Sequence, residues 1–141
     1  MLAHPVIESA QEFIRLRISE HPDDYLRAAH DEAPDTVWRE LVADHPEMRQ
    51  WVAHNKTVPV TILELLHTDS SADVRCTVAR KRSLPECLQQ ALAADFDASV
   101  RHALACNAKV THAVLQKLAT DCELFVRDAA VQRLKPNDRD A

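Results

Sequence analysis

A Val-Arg pair returns along this chain every 26 residues. "SADVRCTVAR" spans 71–80, "DASVRHALAC" spans 97–106 and "ELFVRDAAVQ" spans 123–132. The same register holds for other positions. Arg49, Arg75, Arg101 and Arg127 are in step, as are Asp69, Asp95 and Asp121, and Val74, Val100 and Val126. Leu66, Leu92 and Leu118 follow, with Ala53, Ala79 and Ala105. Pro59 matches Pro85, and Thr111 stands where a third proline would be; Asn55 matches Asn107, with Lys81 between them. One residue is missing between Asp44 and Arg49, so Asp44 and Pro34 fall 25 before Asp69 and Pro59. A fixed period in this range means one supersecondary unit copied and stacked, because a single copy cannot bury its own apolar face.

Each unit reads as two short helices. The first is "LPECLQQALAA" at 84–94, with its proline in the first turn, where a missing N–H costs nothing. Ser83 and Glu86 have capping-box spacing, and Leu84, Leu88, Ala91 and Leu92 share one face. The second starts after Asp95 and buries Val100, Ala103 and Leu104. Neither is long enough to be stable alone, so each must pack against the next unit. Residues 1–43 diverge. "PVIESAQEFIRLRIS" predicts a first, longer helix, and "HPDDYLRAAHD" at 21–31 echoes "HPEMRQWVAHN" at 45–55 at a spacing of 24. The reading is one domain over 1–141: divergent capping units at 1–43, regular repeats at 44–134 and a frayed tail at 135–141, with about five helix pairs in all.

Composition agrees with an all-helical chain. Glycine is absent from the 141 residues, so phosphate-cradling loops, dinucleotide fingerprints and nucleophile elbows are excluded in their usual form. No apolar run approaches the roughly 20 residues needed to span a bilayer. "MLAHPVIESAQ" lacks the basic-then-apolar order of a signal peptide. The four cysteines, at 76, 87, 106 and 122, form no CxxC pair and lie in apolar-periodic segments. They read as reduced thiols of a cytoplasmic protein, acting as small hydrophobes.

The unit "VRCTVARKRSLPECLQQALAADFDAS" resembles the leucine-rich repeat variant family, whose pattern runs Val-Arg, Val-Ala-x-Asn, a proline, then Leu-x-x-Leu-Ala-x-Asp. The next copy, "VRHALACNAKVTHAVLQKLATDCELF", keeps Val100, Arg101, Ala105, Asn107, Leu115, Leu118, Ala119 and Asp121 and has Thr111 for the proline. The likeness runs from about residue 44 to 134. The unit is also similar to a short HEAT repeat, which shares the Asp and the Arg six residues later. This resemblance implies a right-handed superhelix, an α-solenoid of alternating helices of which one is α or 3₁₀. Some members carry an iron–sulfur cluster on an N-terminal cysteine-rich segment. Here no cysteine precedes Cys76, so no cofactor is implied.

The repeating arginine has two readings. Asp69 precedes Arg75 by six residues, Asp95 precedes Arg101 and Asp121 precedes Arg127, with Asp44 and Arg49 as a shortened version. A carboxylate in the inter-helix turn can accept from the Arg of its own or an adjacent unit and also cap the next helix. That makes a structural ladder. The alternative is a row of arginines for phosphate or carboxylate ligands. The ladder is favoured, because each Arg arrives with its own Asp and a neutralised guanidinium gains nothing as a binding group.

In HEAT-like solenoids the helix after the Asp turn lines the concave side. The exposed stripe this implies is Glu47, Gln50 and His54; Asp73, Cys76 and Arg80; Ser99, His102 and Cys106; Phe125, Asp128 and Gln132. These positions vary while their neighbours repeat, which suits either a surface adapted to a protein or peptide partner or a merely solvated one. The stripe is mixed rather than basic, "RKR" at 80–82 is the only basic cluster, and the net charge is −5, so a nucleic-acid partner is the alternative, not the first reading. A structural adaptor within a larger complex is the other. His102 and Cys106 have a metal-ligand spacing, with Cys76 and Asp128 in equivalent places. Neighbouring helices about 8–10 Å apart do not bring four such side chains to about 2 Å from one ion, so no metal site is assigned. The set Ser71, His102 and Asp128 lacks anything that fixes its geometry, so no enzyme is expected. Oligomeric state is not legible.

Overall fold

The structure is a computed structural model that describes residues 6–136. Among these residues there are ten α-helices, one 3₁₀ turn and no β-strand; the only extended pairing is an isolated bridge between Val6 and Glu32. The chain is all-α. It divides into two compact units, Met1–Thr68 and Asp69–Ala141.

The first unit holds α1 (Ala10–Ile18), α2 (Pro22–His30), α3 (Asp35–Asp44), the 3₁₀ turn Pro46–Met48, α4 (Arg49–His54) and α5 (Val60–Leu66). α1 packs on α2 and α3, α3 packs on α4 and α5, and α2 packs on α4. Phe13 meets Trp38 edge to face, with ring centroids 5.6 Å apart. Leu16, Leu41, Ile62 and Leu63 of the same unit are fully buried.

The second unit holds α6 (Ala72–Ala79), α7 (Glu86–Ala93), α8 (Ala98–Ala105), α9 (His112–Leu118) and α10 (Leu124–Leu134). α6 packs on α8 and α8 on α10, while α7 packs on α9 and on α8. The buried side chains keep the 26-residue spacing: Val74, Val100 and Val126; Leu88 and Val114; Leu92 and Leu118. No single helix could bury this surface alone, and side-by-side packing of like helices is how a short amphipathic element becomes stable.

Helix starts are set by one device. Pro34, Pro59 and Pro85 are N-caps with ψ of 150°, 155° and 154°, and Thr111 takes the same place with ψ 155° and accepts from the Val114 N–H. This corrects two expectations. The helix expected at 84–94 begins at Glu86, because an extended Pro85 keeps the chain before it out of the α region. The Ser83–Glu86 capping box therefore does not form, and Ser83 is exposed. The expected long first helix also starts late, at Ala10. Ser9 caps it through the Glu12 N–H, and the Ile7 N–H is already committed to the Glu32 carbonyl at 2.8 Å. The one 3₁₀ segment precedes α4; the helices in the corresponding places of the second unit are α. Of the tail expected at 135–141, Lys135 is extended and residues 137–141 lie outside the described residues.

The matched asparagines explain themselves here. The Asn107 amide, buried among apolar neighbours, donates to the carbonyls of Ala79 (2.8 Å) and Lys81 (2.9 Å), and its oxygen accepts from the Lys109 N–H (2.8 Å). Asn55 does the same with Ala28, Asp31 and Thr57. Each asparagine satisfies the loose carbonyls at the end of a preceding helix while holding its own loop, a task that needs donor and acceptor on one short side chain. Arg133, 26 residues after Asn107, donates to the carbonyl of Asn107 at 3.0 Å. We expect Asn107→Ala to cost about 2 kcal/mol in denaturant melts, the penalty of buried polar groups left without partners. An unchanged midpoint would contradict this account.

Candidate functional site

Within the second unit the arginine ladder runs from one repeat to the next. Arg101 places Nε 2.8 Å and Nη2 3.3 Å from the two carboxylate oxygens of Asp121, twenty residues on, and Nη1 2.6 Å from the carbonyl of Asp95, six residues back. Arg75 repeats this with Asp95 (2.9 and 3.4 Å) and the carbonyl of Asp69 (2.7 Å). Arg127 takes the Asp121 carbonyl at 3.1 Å. The aspartate six residues before each arginine thus lends its backbone, and the aspartate of the following unit lends its carboxylate. The carboxylate also accepts the N–H two residues on: Ser71 for Asp69, Asp97 for Asp95 and Glu123 for Asp121. Those three residues are the N-caps of α6, α8 and α10.

Both ion pairs are largely out of water. Side-chain exposure is 4% and 7% for Arg75 and Asp95, and 11% and 8% for Arg101 and Asp121. The Phe96 ring, itself open to solvent, lies over the Arg75 guanidinium at 4.7 Å. Burial pushes the Asp121 carboxyl up, but the bonds from Arg101 and the Glu123 N–H outweigh it and leave it below its ordinary value. Its bond to Asp121 raises Arg101. The first aspartate of the series differs from the others. Asp44 ends α3, is exposed and makes no ion pair, while Arg49 donates from Nε to the Val42 carbonyl at 2.7 Å. With one residue deleted, the helix runs through Asp44 and leaves no turn from which its carboxylate could work.

The proposed stripe is only partly a surface. Asp73, Ser99, Cys106, Phe125, Asp128 and Gln132 are exposed, as are Glu47, His54 and Arg80; Gln50 and His102 are half-buried. Cys76 is a correction: it is buried, with Sγ 3.8 Å from the Ser99 hydroxyl. The run Val74–Ala79 is buried without a break, since α6 is covered over a wide arc that includes α7 and α8. Cys87 and Cys122, expected to act as small hydrophobes, are exposed free thiols, and Cys106 on the stripe is exposed as well. His102 lies against Phe125, ring centroids 5.5 Å apart, and its Nε2 is 3.8 Å from the Cys106 sulfur. The ring contact joins α8 to α10.

Among the described residues, no group of three or more His, Cys, Asp or Glu is arranged to hold a metal ion. No hydrogen bond connects Ser71, His102 and Asp128. No described helix is long and apolar enough to cross a membrane.

One feature escaped the sequence reading. Arg17 stacks on Trp51, its guanidinium carbon 3.4 Å from the ring centroid, and Trp51 meets His54 edge to face. The signal was present in the repeat. Thr77, Ala103 and Ala129 stand 26, 52 and 78 residues after Trp51, so a large ring occupies a position where the other units are small.

No protein-family model, no curated protein and no solved structure matches this chain.

Arg101→Ala should cost about 3 kcal/mol, since it strands a buried carboxylate. Arg39→Ala, which breaks an exposed pair with Asp35, should cost under about 0.5 kcal/mol. Equal midpoints in urea for the two variants would rule out the ladder. The folded-state pKa of Asp121 is lowered, so its contribution is complete above the unfolded carboxylate value of about 4 and is lost as pH falls through the folded value. Asp121→Asn should lower stability in full near neutrality and flatten the profile in that acid range, so that the gap to the wild type narrows as pH falls.

Proposed function

We propose that this chain is a right-handed α-solenoid of HEAT-like, leucine-rich-repeat-variant units, and that it holds a protein or peptide partner without catalysing a reaction. The observation that carries the reading is the contrast on α8 and α10. Val100, Ala103, Leu104, Val126 and Ala130 are buried and serve packing. Ser99, Cys106, Phe125, Asp128 and Gln132 point outward, differ from unit to unit and play no part in the ladder. Phe125 keeps about half its surface open (49%) while resting on His102. An aromatic ring fixed from one side and open on the other is the kind of anchor that carries binding energy at protein interfaces. Parallel helices separated by shallow grooves suit an extended segment or a short helix. The analogy with solenoids supplies the partner class, and the exposed row supplies the residues.

The test is selection of a displayed random-peptide library on the full chain. Enriched peptides should bind with micromolar affinity, and Phe125→Ala should weaken them by roughly tenfold or more, the loss typical of an anchor. His102→Ala should weaken them as well, and both variants should keep the wild-type melting temperature within a few degrees. Enriched peptides that bind both variants unchanged would remove this surface from consideration. A fluorescent DNA duplex titrated at low salt should show no saturable binding; tight binding that falls steeply with salt would favour the nucleic-acid reading instead.

A further inference from the structure

The first unit carries a concavity of about 210 Å³ between α1, α2 and α4. Its lining includes Arg17, His30, His54 and Lys56 and no carboxylate. In a chain whose net charge is −5, four basic side chains around one cavity without an acid are a local reversal of sign. Tyr25, Trp51 and Leu26 supply an apolar wall.

Arg17 is held there in an unusual way. Several other arginines of the chain are matched by acids. Arg27 bonds Asp31 at 2.7 Å and Glu12 at 3.3 Å, and Arg75 and Arg101 have their aspartates. Arg17 has the Trp51 ring instead, and its Nε is buried with no hydrogen-bond partner. Two carboxylates of this unit, Glu12 and Asp31, are already engaged by Arg27. A guanidinium stacked on an indole is oriented without being neutralised, so its planar fork stays available for an incoming oxyanion. Ring stacking also removes part of the ordering cost that a free arginine would meet on binding.

We propose that this concavity binds a small organic oxyanion: a carboxylate or phosphate head received by Arg17, with Lys56 and the two imidazoles beside it, on a single-ring apolar body lying against Tyr25 and Leu26. Carboxylate and phosphate share the geometry a guanidinium recognises, two acceptor oxygens in one plane. The volume suits such a ligand, since a cavity of about 150 Å³ accommodates benzene and the remainder accepts the head.

Phenyl phosphate, phenylacetate, benzylamine and inorganic phosphate, titrated into the full chain by calorimetry and by ¹H–¹⁵N NMR, test this. At least one ring-bearing oxyanion binds saturably at one site, and benzylamine binds at least roughly tenfold more weakly, because the charge-assisted bonds are lost. Inorganic phosphate, lacking the ring, binds more weakly than phenyl phosphate. The tighter of the two ring-bearing probes identifies the head. Shifts centre on the Trp51 indole and the backbone of Ala29 and Lys56. Arg17→Gln lowers affinity roughly tenfold; should that variant fail to fold, Lys56→Gln, on an exposed side chain, must lower it as well. Absence of saturation by both oxyanions, equal binding of benzylamine, or shifts centred away from Trp51 overturns the proposal.

Discussion

The bond between a guanidinium and the carboxylate twenty residues later organises the second unit. Asp121 does three things at once. Its carboxylate binds Arg101, one of the same oxygens receives the N–H of the α10 N-cap, and its carbonyl receives Arg127. Asp95 does the same for Arg75, α8 and Arg101. A shift of one helix along its neighbour would therefore break a turn, a helix start and an ion pair together. A buried pair of this kind brings little net stability, because removing two charges from water is costly. Its importance is geometric: a forked, two-point contact tolerates only one offset between neighbouring helices.

A chain without glycine lacks the residue that most easily ends a helix in the left-handed region. Among the described residues none has positive φ. The turns are made by side chains instead. Asp69, Asp95 and Asp121 fold back on the N–H two residues on, and Asn55 and Asn107 do so at the other ends. Prolines and Thr111 set the extended step before the next helix. The polar residues that repeat are thus those that replace glycine's freedom with hydrogen bonds. The residues that do not repeat, Trp51 and Phe125 among them, are where binding chemistry is proposed.

Much of the fold was legible because each unit must satisfy the same demands. The helix pairs, the apolar faces of Val100, Ala103 and Leu104, and the coupling of Asp to Arg all follow from a 26-residue period. The errors have a common source. Cys76 was placed on an open face because a period assigns one buried stripe per helix, whereas α6 is buried at six successive positions. Leu84 was placed in a helix that the extended Pro85 begins two residues later. The candidate surfaces were harder still, since exposed positions obey no common constraint.

The sequence by itself determined the helical class, the repeat length and which side chains recur, because those depend on local backbone preference and on the spacing of apolar residues. It left open whether an aspartate serves its own arginine or the previous one: residues six and twenty apart are equally plausible partners along a chain. Only the packed helices decided that, by bringing a carboxylate within 3 Å of the arginine twenty residues earlier. They alone also laid Arg17 on Trp51, a contact between residues 34 apart that no local periodicity encodes.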